Sequence, residues 1–402
     1  EKRVSHNMKY ILTSVDSIQK YRFFDKLNRV LKSYSCEIVF VTIRLSVYLI
    51  GRSSGRKIYL LKKNKSSDSV DNNRKEFLEV NSGMIDEHSA SLIYRDSKKL
   101  FHLLNEKYFF KLTYIFNGLG VIDRALEDFA SDVGLNCKYF ELSNIKGKMF
   151  IDNTGTNANS SLYSDIDQLS HLQVNTSHYN EWRKNYIYTL KSETLLPQER
   201  RVKNINYWYM IDLYGYWVHN IHRLSNKGIK EKIKTKLFLS SLYRRDKHES
   251  QIKKPFILVP LQISDDSQLL FHSSFDNFDL IIAANKIAIE KGMNIVVKVH
   301  PAEENINFIE EVFRLKEKLS FNITNNNIYE LIEQCEFIIT INSSVGLLAK
   351  IIGKEVIFIG KTYFDKLDSH NLPAYIESFL LNIDFWDEKY ELSTYDICRL
   401  IN

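Results

Sequence analysis

Between residues 256 and 360 the chain alternates between two hydrophobic periodicities. Short apolar, β-branched runs at 256–260, 294–299, 337–341 and 356–360 are separated by stretches with helical spacing at 276–291, 302–318, 328–333 and 345–352. A run that is apolar at every position, with no polar alternation, is a strand buried on both faces. Strands of that kind joined by amphipathic helices build a parallel sheet. The pattern therefore predicts a doubly wound α/β domain.

The first half repeats the logic less regularly. Strand-like runs at 9–15, 37–42, 112–116 and 137–142 alternate with helical patterns reaching residue 31 and covering 122–132, and a polar loop is expected at 64–74. From 168 to 253 the text changes to long polar and aromatic helical patterns. We place a Rossmann-like acceptor domain at 1–190, a helical, basic and aromatic interdomain region at 191–253, and a second Rossmann-like domain with terminal helices at 254–402. Two Rossmann-type domains facing a cleft, with a helical interdomain insertion, is a GT-B-like α/β arrangement. The same pair of domains also serves epimerases and binding proteins, so fold alone leaves function open.

Composition narrows the class. With 44% apolar and 13% aromatic residues in 402, the chain can bury two cores of ordinary size, which excludes a disordered or fibrous protein. A balance of 55 basic against 49 acidic side chains, +6 overall, lacks the dense basic stripe of a nucleic-acid binder. Local charge is more uneven: between 227 and 254 ten Lys or Arg face three acids, just after an aromatic block at Tyr207, Trp208, Tyr209, Tyr214, Tyr216 and Trp217. Such a patch suits an anionic membrane surface or, more plainly, a solvated helical face. Cys36, Cys137, Cys335 and Cys398 show no C-x-x-C spacing, so neither a zinc site nor a disulfide framework is expected, and a reducing cytoplasmic setting fits. The most apolar segment, 38–50, is interrupted by Arg44, and neither a spanning helix nor a signal peptide is read. Residue 402 falls inside a helical pattern, as expected of a piece cut from a longer chain.

In open α/β sheets ligands bind beyond the carboxyl ends of the strands. Three such ends are polar in the second half. The first carries Gln262, Ser264, Asp265, Asp266, Ser267 and Gln268. Its two carboxylates could supply a nucleophile or a base, with Gln262 and Ser267 orienting it, and they serve equally well as caps of a turn. The second is Lys298-Val299-His300-Pro301, a cation and an imidazole at a proline-fixed helix entry that suits an anionic ligand. The third is Asn342-Ser343-Ser344-Val345-Gly346, where hydroxyls and free amides at a helix N-terminus form a phosphate cradle or, more plainly, a cap. The first half offers Asn117-Gly118, Arg124 and Glu141, the last at a strand end expected to face the cleft. No cluster of His and Asp residues suited to a metal is read in the sequence.

At these residues the chain resembles the bacterial β-Kdo transferases of capsule and O-antigen assembly, the capsule polysaccharide biosynthesis family. The matching motifs are Asn117-Gly118, Tyr139-Phe140-Glu141, Gly147-Lys148-Met149-Phe150, Gly155-Thr156-Asn157-Ala158, the run Val259-Pro260-Leu261-Gln262 continuing to Asp266-Ser267-Gln268, His300-Pro301, Asn342-Ser343-Ser344-Val345-Gly346 and Gly353-Lys354-Glu355-Val356. The helix after Asn342-Ser343-Ser344-Val345-Gly346 departs from the family, with Leu348-Ala349-Lys350 where an acidic-alanine-leucine text is usual.

This resemblance implies a retaining transferase that takes Kdo from CMP-β-Kdo, without a cofactor or metal, in capsule or lipopolysaccharide assembly. It selects Asp266 over Asp265 as the nucleophile, and it assigns His300, expected among the catalytic residues, and Asn342, Ser343, Ser344 and Gly346 to the CMP moiety, beside which the residues themselves offer Lys298 to its phosphate. Gln262, Asp265, Ser267, Asn117 and Arg124 complete the expected binding set, and Glu141 is the expected base. The implied acceptor is a lipid-linked oligosaccharide or polysaccharide at the inner membrane face, with other glycosyltransferase domains of a longer chain as partners. A sialyl-type CMP-sugar transferase and a non-catalytic glycan-binding module of a larger synthase are the alternatives.

Overall fold

A computed structural model describes residues 8–64, 76–192, 207–224, 252–386 and 392–402. Strands β1 (Lys9–Ser14), β2 (Cys36–Thr42), β3 (Ile58–Leu60), β4 (Leu112–Phe116), β5 (Asn136–Leu142) and β6 (Met149–Asp152) form one sheet in the order β3-β2-β1-β4-β5-β6. All its pairings are parallel except that of β6 with β5. Strands β7 (Phe256–Pro260), β8 (Asn294–Lys298), β9 (Asn322–Thr324), β10 (Phe337–Thr340) and β11 (Glu355–Phe358) form a second, wholly parallel sheet in the order β11-β10-β7-β8-β9. Counted from its own first strand, the first sheet runs 3-2-1-4-5-6 and the second 3-2-1-4-5. In each sheet the connections leave the first and fourth strands in opposite directions, and that divergence opens a crevice at the carboxyl ends of the two strands. For β1 and β4 the crevice lies beyond Ser14 and Phe116; for β7 and β10 it lies beyond Pro260 and Thr340.

Local chemistry sets the element ends. The helix Ile18–Lys32 begins where the Ser17 hydroxyl accepts the Lys20 amide at 3.2 Å. The helix Asn277–Lys291 begins with a capping box in which the Asp276 carboxylate accepts the Asp279 amide and the Asp279 carboxylate accepts the Asp276 amide. The expected helix at 302–318 starts only at Ile306, because Asn305 caps it and the residues before it form a turn. The strands at 58–60, 149–152 and 322–324 were not expected. Three or four residues at a sheet edge are too short to display a periodicity of their own. Most of the polar loop expected at 64–74 and most of the basic stretch at 227–254 lie outside the described residues.

The domain limits differ from those read in the sequence. One compact unit comprises Glu1–Ser161, Val202–Asn226 and Leu380–Asn402; the other comprises Leu162–Arg201 and Lys227–Phe379. Segments read as the end of the first domain or as the interdomain region thus belong to one unit or the other. The helix Thr176–Ser192 joins the second unit, where Arg183 Nη2 donates to the Ile352 carbonyl at 2.9 Å and Leu190 is buried with Phe256 and Leu258. The helix Tyr207–Val218 joins the first: its Asp212 carboxylate accepts the Ser46 amide at 2.8 Å and the Arg44 guanidinium at 3.2 Å. The same helix leaves Tyr207, Met210, Tyr214 and Trp217 exposed. The C-terminal segment also returns to the first unit. Tyr114 Oη donates to the Leu400 carbonyl at 2.9 Å, and Leu381, Phe385, Ile397 and Leu400 fill the core around Phe23, Phe24 and Phe140. Burying such a ring or leucine stabilises the fold by about 1.5–3 kcal/mol, so a few of them outweigh chain order in deciding where a segment docks. Among the described residues no helix is long and apolar enough to cross a membrane.

Candidate active site

The β7–β10 crevice is built around one buried amide pair. Gln262 Nε2 donates to Asn342 Oδ1 at 2.9 Å, and the Asn342 backbone N–H donates to Gln262 Oε1 at 3.3 Å. Asn277 holds the Gln262 backbone from the other side: its Oδ1 accepts the Gln262 amide at 3.0 Å and its Nδ2 donates to the Gln262 carbonyl at 2.9 Å. Asn342 Nδ2 in turn donates to the Gln268 carbonyl at 2.8 Å. Gln262 and Asn342, both expected as ligand contacts, therefore have their side-chain amides engaged inside the protein. What they do here is tie the loop after β7 to the loop after β10.

That loop carries Asp266. Its amide donates to the Ile263 carbonyl at 2.9 Å, and its Oδ1 accepts the Gln268 amide at 2.7 Å as the N-cap of the short helix Ser267–His272. The capped-turn reading and the carboxylate-at-the-crevice reading thus hold together for one residue. Burial raises its pKa, opposed by the amides of Gln268 and Leu269 and reinforced by the neighbouring charge of Asp265. Asp265 and Ser267 flank it, both half-buried.

The loop after β8 supplies His300. Its Nδ1 accepts the Ala302 amide at 3.1 Å, which leaves Nε2–H as the donor of the neutral ring. Burial, assisted by the charge of Lys298, pushes its pKa down to about 4. Near neutral pH His300 is therefore an uncharged hydrogen-bond donor rather than a cation. Lys298 itself is buried, and its Nζ donates to the Asn326 carbonyl at 2.8 Å, so the expected anion contact is engaged by the protein's own backbone.

After β10, Ser343 caps the helix Ser344–Ile352, its hydroxyl accepting the Val345 amide at 3.2 Å. Ser343 and Ser344 are half-buried at this helix start. Gly346 has a packing role. A Cβ there would lie 2.4 Å from the Phe358 ring, so only glycine lets this helix approach β11.

In the first unit, Asn117 and Gly118 both adopt positive φ, +68° and +80°, and form a turn fixed by Asn117 N–H donating to the Phe140 carbonyl at 2.9 Å. The Thr156 hydroxyl donates to the Asn117 carbonyl at 3.0 Å. Arg124 pairs with Glu127 on its own helix at 3.1 Å, and Glu127 also accepts the Tyr139 hydroxyl at 2.7 Å. These two expected binding residues are thereby built into the local structure. Glu141 stands half-buried on β5, opposite Phe150 of β6.

Two sets of residues escaped the sequence reading. Glu303 is 2% exposed and gathers three donors: the Ser264 amide at 2.7 Å, the Ser264 hydroxyl at 3.2 Å and the Asn305 amide at 2.7 Å. The other set lies at the β1–β4 crevice. Ser14 Oγ donates to Asp123 Oδ1 at 2.8 Å, Lys20 Nζ donates to Asp16 Oδ2 at 2.9 Å, and Arg44 Nε donates to the Asp16 carbonyl. Burial raises the Asp123 pKa to about 7, with Lys20 pulling it down and Asp16 and Glu79 pushing it further up. The rule that located the second-half loops, applied to the end of the first strand, would have found Ser14 and Asp16. Among the described residues no three His, Cys, Asp or Glu side chains converge as a metal site.

Two sheets that share the strand order 3-2-1-4-5, the first with a sixth strand added and the second with a carboxylate, a neutral histidine and a helix start at its crevice, define a protein of the two-domain GT-B-like class. The chain is 13% identical to the Thermosulfurimonas dismutans KpsC beta Kdo 2,4 transferase, with a TM-score of 0.50 and 99% of each chain covered, a likeness of fold. Against the KpsC beta Kdo 2,7 transferase of the same organism the identity is 12% and the TM-score 0.43, covering 98% of this chain and 99% of that one. It is 20% identical over 288 residues to the Escherichia coli capsule polysaccharide export protein KpsS, covering 65% of this chain and 70% of that protein. The profile of the family described as capsule polysaccharide biosynthesis protein matches residues 148–367. The chain belongs to the capsule polysaccharide biosynthesis family.

Proposed function

We propose that this family member is a retaining glycosyltransferase that moves Kdo from CMP-β-Kdo to a hydroxyl of a glycan or glycolipid acceptor in capsule assembly. The observation that carries the reading is Asp266: a half-buried carboxylate held at the end of β7, at the crevice, by the Gln268 amide and the Gln262–Asn342 pair. In the first step an Asp266 oxygen attacks the anomeric carbon of Kdo. The bond from that carbon to the CMP phosphate oxygen breaks, and its electron pair leaves with CMP. A phosphate leaving group is a weak base, so its departure calls for donors rather than a strong acid. His300 Nε2–H and the amides and hydroxyls at Ser343 and Ser344 are suited to that task. In the second step the acceptor oxygen displaces Asp266 and a carboxylate takes its proton; Glu141 is the proposed base.

Intact mass after incubation with CMP-Kdo generated in situ tests the first step. A Kdo-sized adduct is expected on the wild-type chain and absent from Asp266→Asn, a variant chosen because asparagine keeps the helix cap. CMP binding by calorimetry should survive in that variant. Turnover by Asp266→Asn at the wild-type rate would sink the proposal, and an adduct formed from CMP-sialic acid but not CMP-Kdo would redirect the donor.

A further inference from the structure

Glu303 lies outside the reacting carboxylate and the residues proposed to meet the donor, yet it joins the two loops that carry them. Its amide donates to the His300 carbonyl at 3.0 Å, which places it at the end of the turn that presents the His300 ring. Its two carboxylate oxygens reach across to Ser264, two residues before Asp266, and one of them also accepts the Asn305 amide that precedes the helix Ile306–Leu319. A neutral side chain of the same shape cannot accept all three donors, because an amide offers one oxygen where a carboxylate offers two. Among the groups acting on it, Asp265 is the charged neighbour.

We infer that Glu303 is a positioning residue for the first chemical step, fixing the Ser264–Asp266 loop against the His300 turn so that the nucleophile and the donor-facing imidazole keep one geometry. The inference rests on the proposed covalent role of Asp266. Burial raises the Glu303 pKa, opposed by its three hydrogen bonds and reinforced by Asp265. Protonation on acidification removes acceptor capacity from the same three donors. The step's pH dependence therefore includes an acid limb that belongs to Glu303.

The test compares the whole chain with Glu303→Gln and Glu303→Ala. With in-situ CMP-Kdo, the rate of adduct formation followed by intact mass should fall about ten- to a hundredfold in Glu303→Gln, while the Kd for CMP alone stays within a few-fold of wild type. The wild-type rate should decline toward acid pH as Glu303 and the nucleophile Asp266 take up protons, and the Gln variant should keep only the part that belongs to Asp266. Amide hydrogen exchange supplies a readout free of the donor chemistry: a peptide covering 261–268 should lose protection in both variants at constant circular dichroism. Adduct formation at the wild-type rate with an unchanged pH profile, or unchanged exchange in that peptide, overturns the role of Glu303. Absence of an adduct from the wild-type chain overturns the covalent reading of Asp266 and the chemical role of Glu303 with it, a result distinct from a defect confined to the Glu303 variants.

Discussion

Gln262 and Asn342 are 80 positions apart in the chain and are bonded to each other twice, side chain to side chain at 2.9 Å and backbone to side chain at 3.3 Å. Both are nearly fully buried, at 6% and 2% exposure, so neither amide can exchange its partner for water. Replacing either by alanine leaves the other's polar atoms unsatisfied, which costs about 1–3 kcal/mol per group. We expect Gln262→Ala and Asn342→Ala each to lower stability by roughly 2–3 kcal/mol, with the double variant losing less than the sum of the two. Urea denaturation of the four proteins checks this. Additive losses would show that the pair is not a coupled unit.

Gly346→Ala places a methyl group 2.4 Å from Phe358 Cζ and 2.5 Å from Cε1. Overpacking of this kind typically costs about 1–3 kcal/mol. A Phe358→Leu change in the same chain should recover part of that loss, since it withdraws the ring atoms that clash. Thermal melts of the single and double variants decide it; an unshifted melt for Gly346→Ala would mean the helix can move away at no cost.

His300 titrates near 4 in the folded chain and near 6.5 when unfolded. The folded state therefore binds fewer protons between those values, and stability falls as pH drops from about 6.5 to about 4. His300→Gln should remove this contribution, making the variant less acid-sensitive by roughly 1–2 kcal/mol at pH 4 and unaltered in pH dependence above 7. Denaturation midpoints at pH 4.5, 6 and 8 measure it. A parallel pH dependence in both proteins would show that His300 titrates as a solvated histidine.

Asp123 shifts the other way, from 3.8 to about 7. A carboxyl with a raised folded pKa binds more protons in the fold than in the unfolded chain. Its destabilising effect therefore grows as pH rises through that window and is complete above about 7. Asp123→Asn, which can keep the bond from Ser14, should be more stable than wild type by roughly 1–2 kcal/mol at pH 8, with the gain vanishing toward pH 4. A loss of stability at pH 8 would show that its ionised form is well solvated or paired. Stability that rises when a polar side chain is neutralised is a mark of a functional position.

The second sheet was legible because β7, β8 and β10 are apolar at almost every position and end in polar loops, so both the strands and the places to look for chemistry could be read in order. The Asp265/Asp266 ambiguity was not resolved by residue type, since either could cap a turn; the resemblance chose Asp266, and the structure shows it to be the cap. Lys298, Arg124, Gln262 and Asn342 looked like ligand contacts because their side chains carry the right groups. Lys298, Gln262 and Asn342 each have a partner within the protein that lies too far away in sequence for any spacing rule to reveal, whereas the Arg124–Glu127 pair is an i,i+3 helix pair that the spacing does offer. Glu303 was read as part of a helix, and only the distance from its carboxylate to Ser264 shows its use.

By itself the sequence determined the periodicities, and with them two sheets whose read strands are parallel, the helix caps and the polar strand ends, because each depends on neighbours within a few residues. Tertiary structure alone decided which helices and which C-terminal residues belong to which unit, which polar side chains are engaged internally, and which titrate abnormally. Those outcomes depend on burial and on partners 39, 80 or more positions away, distances over which one-dimensional patterns carry no information about contact.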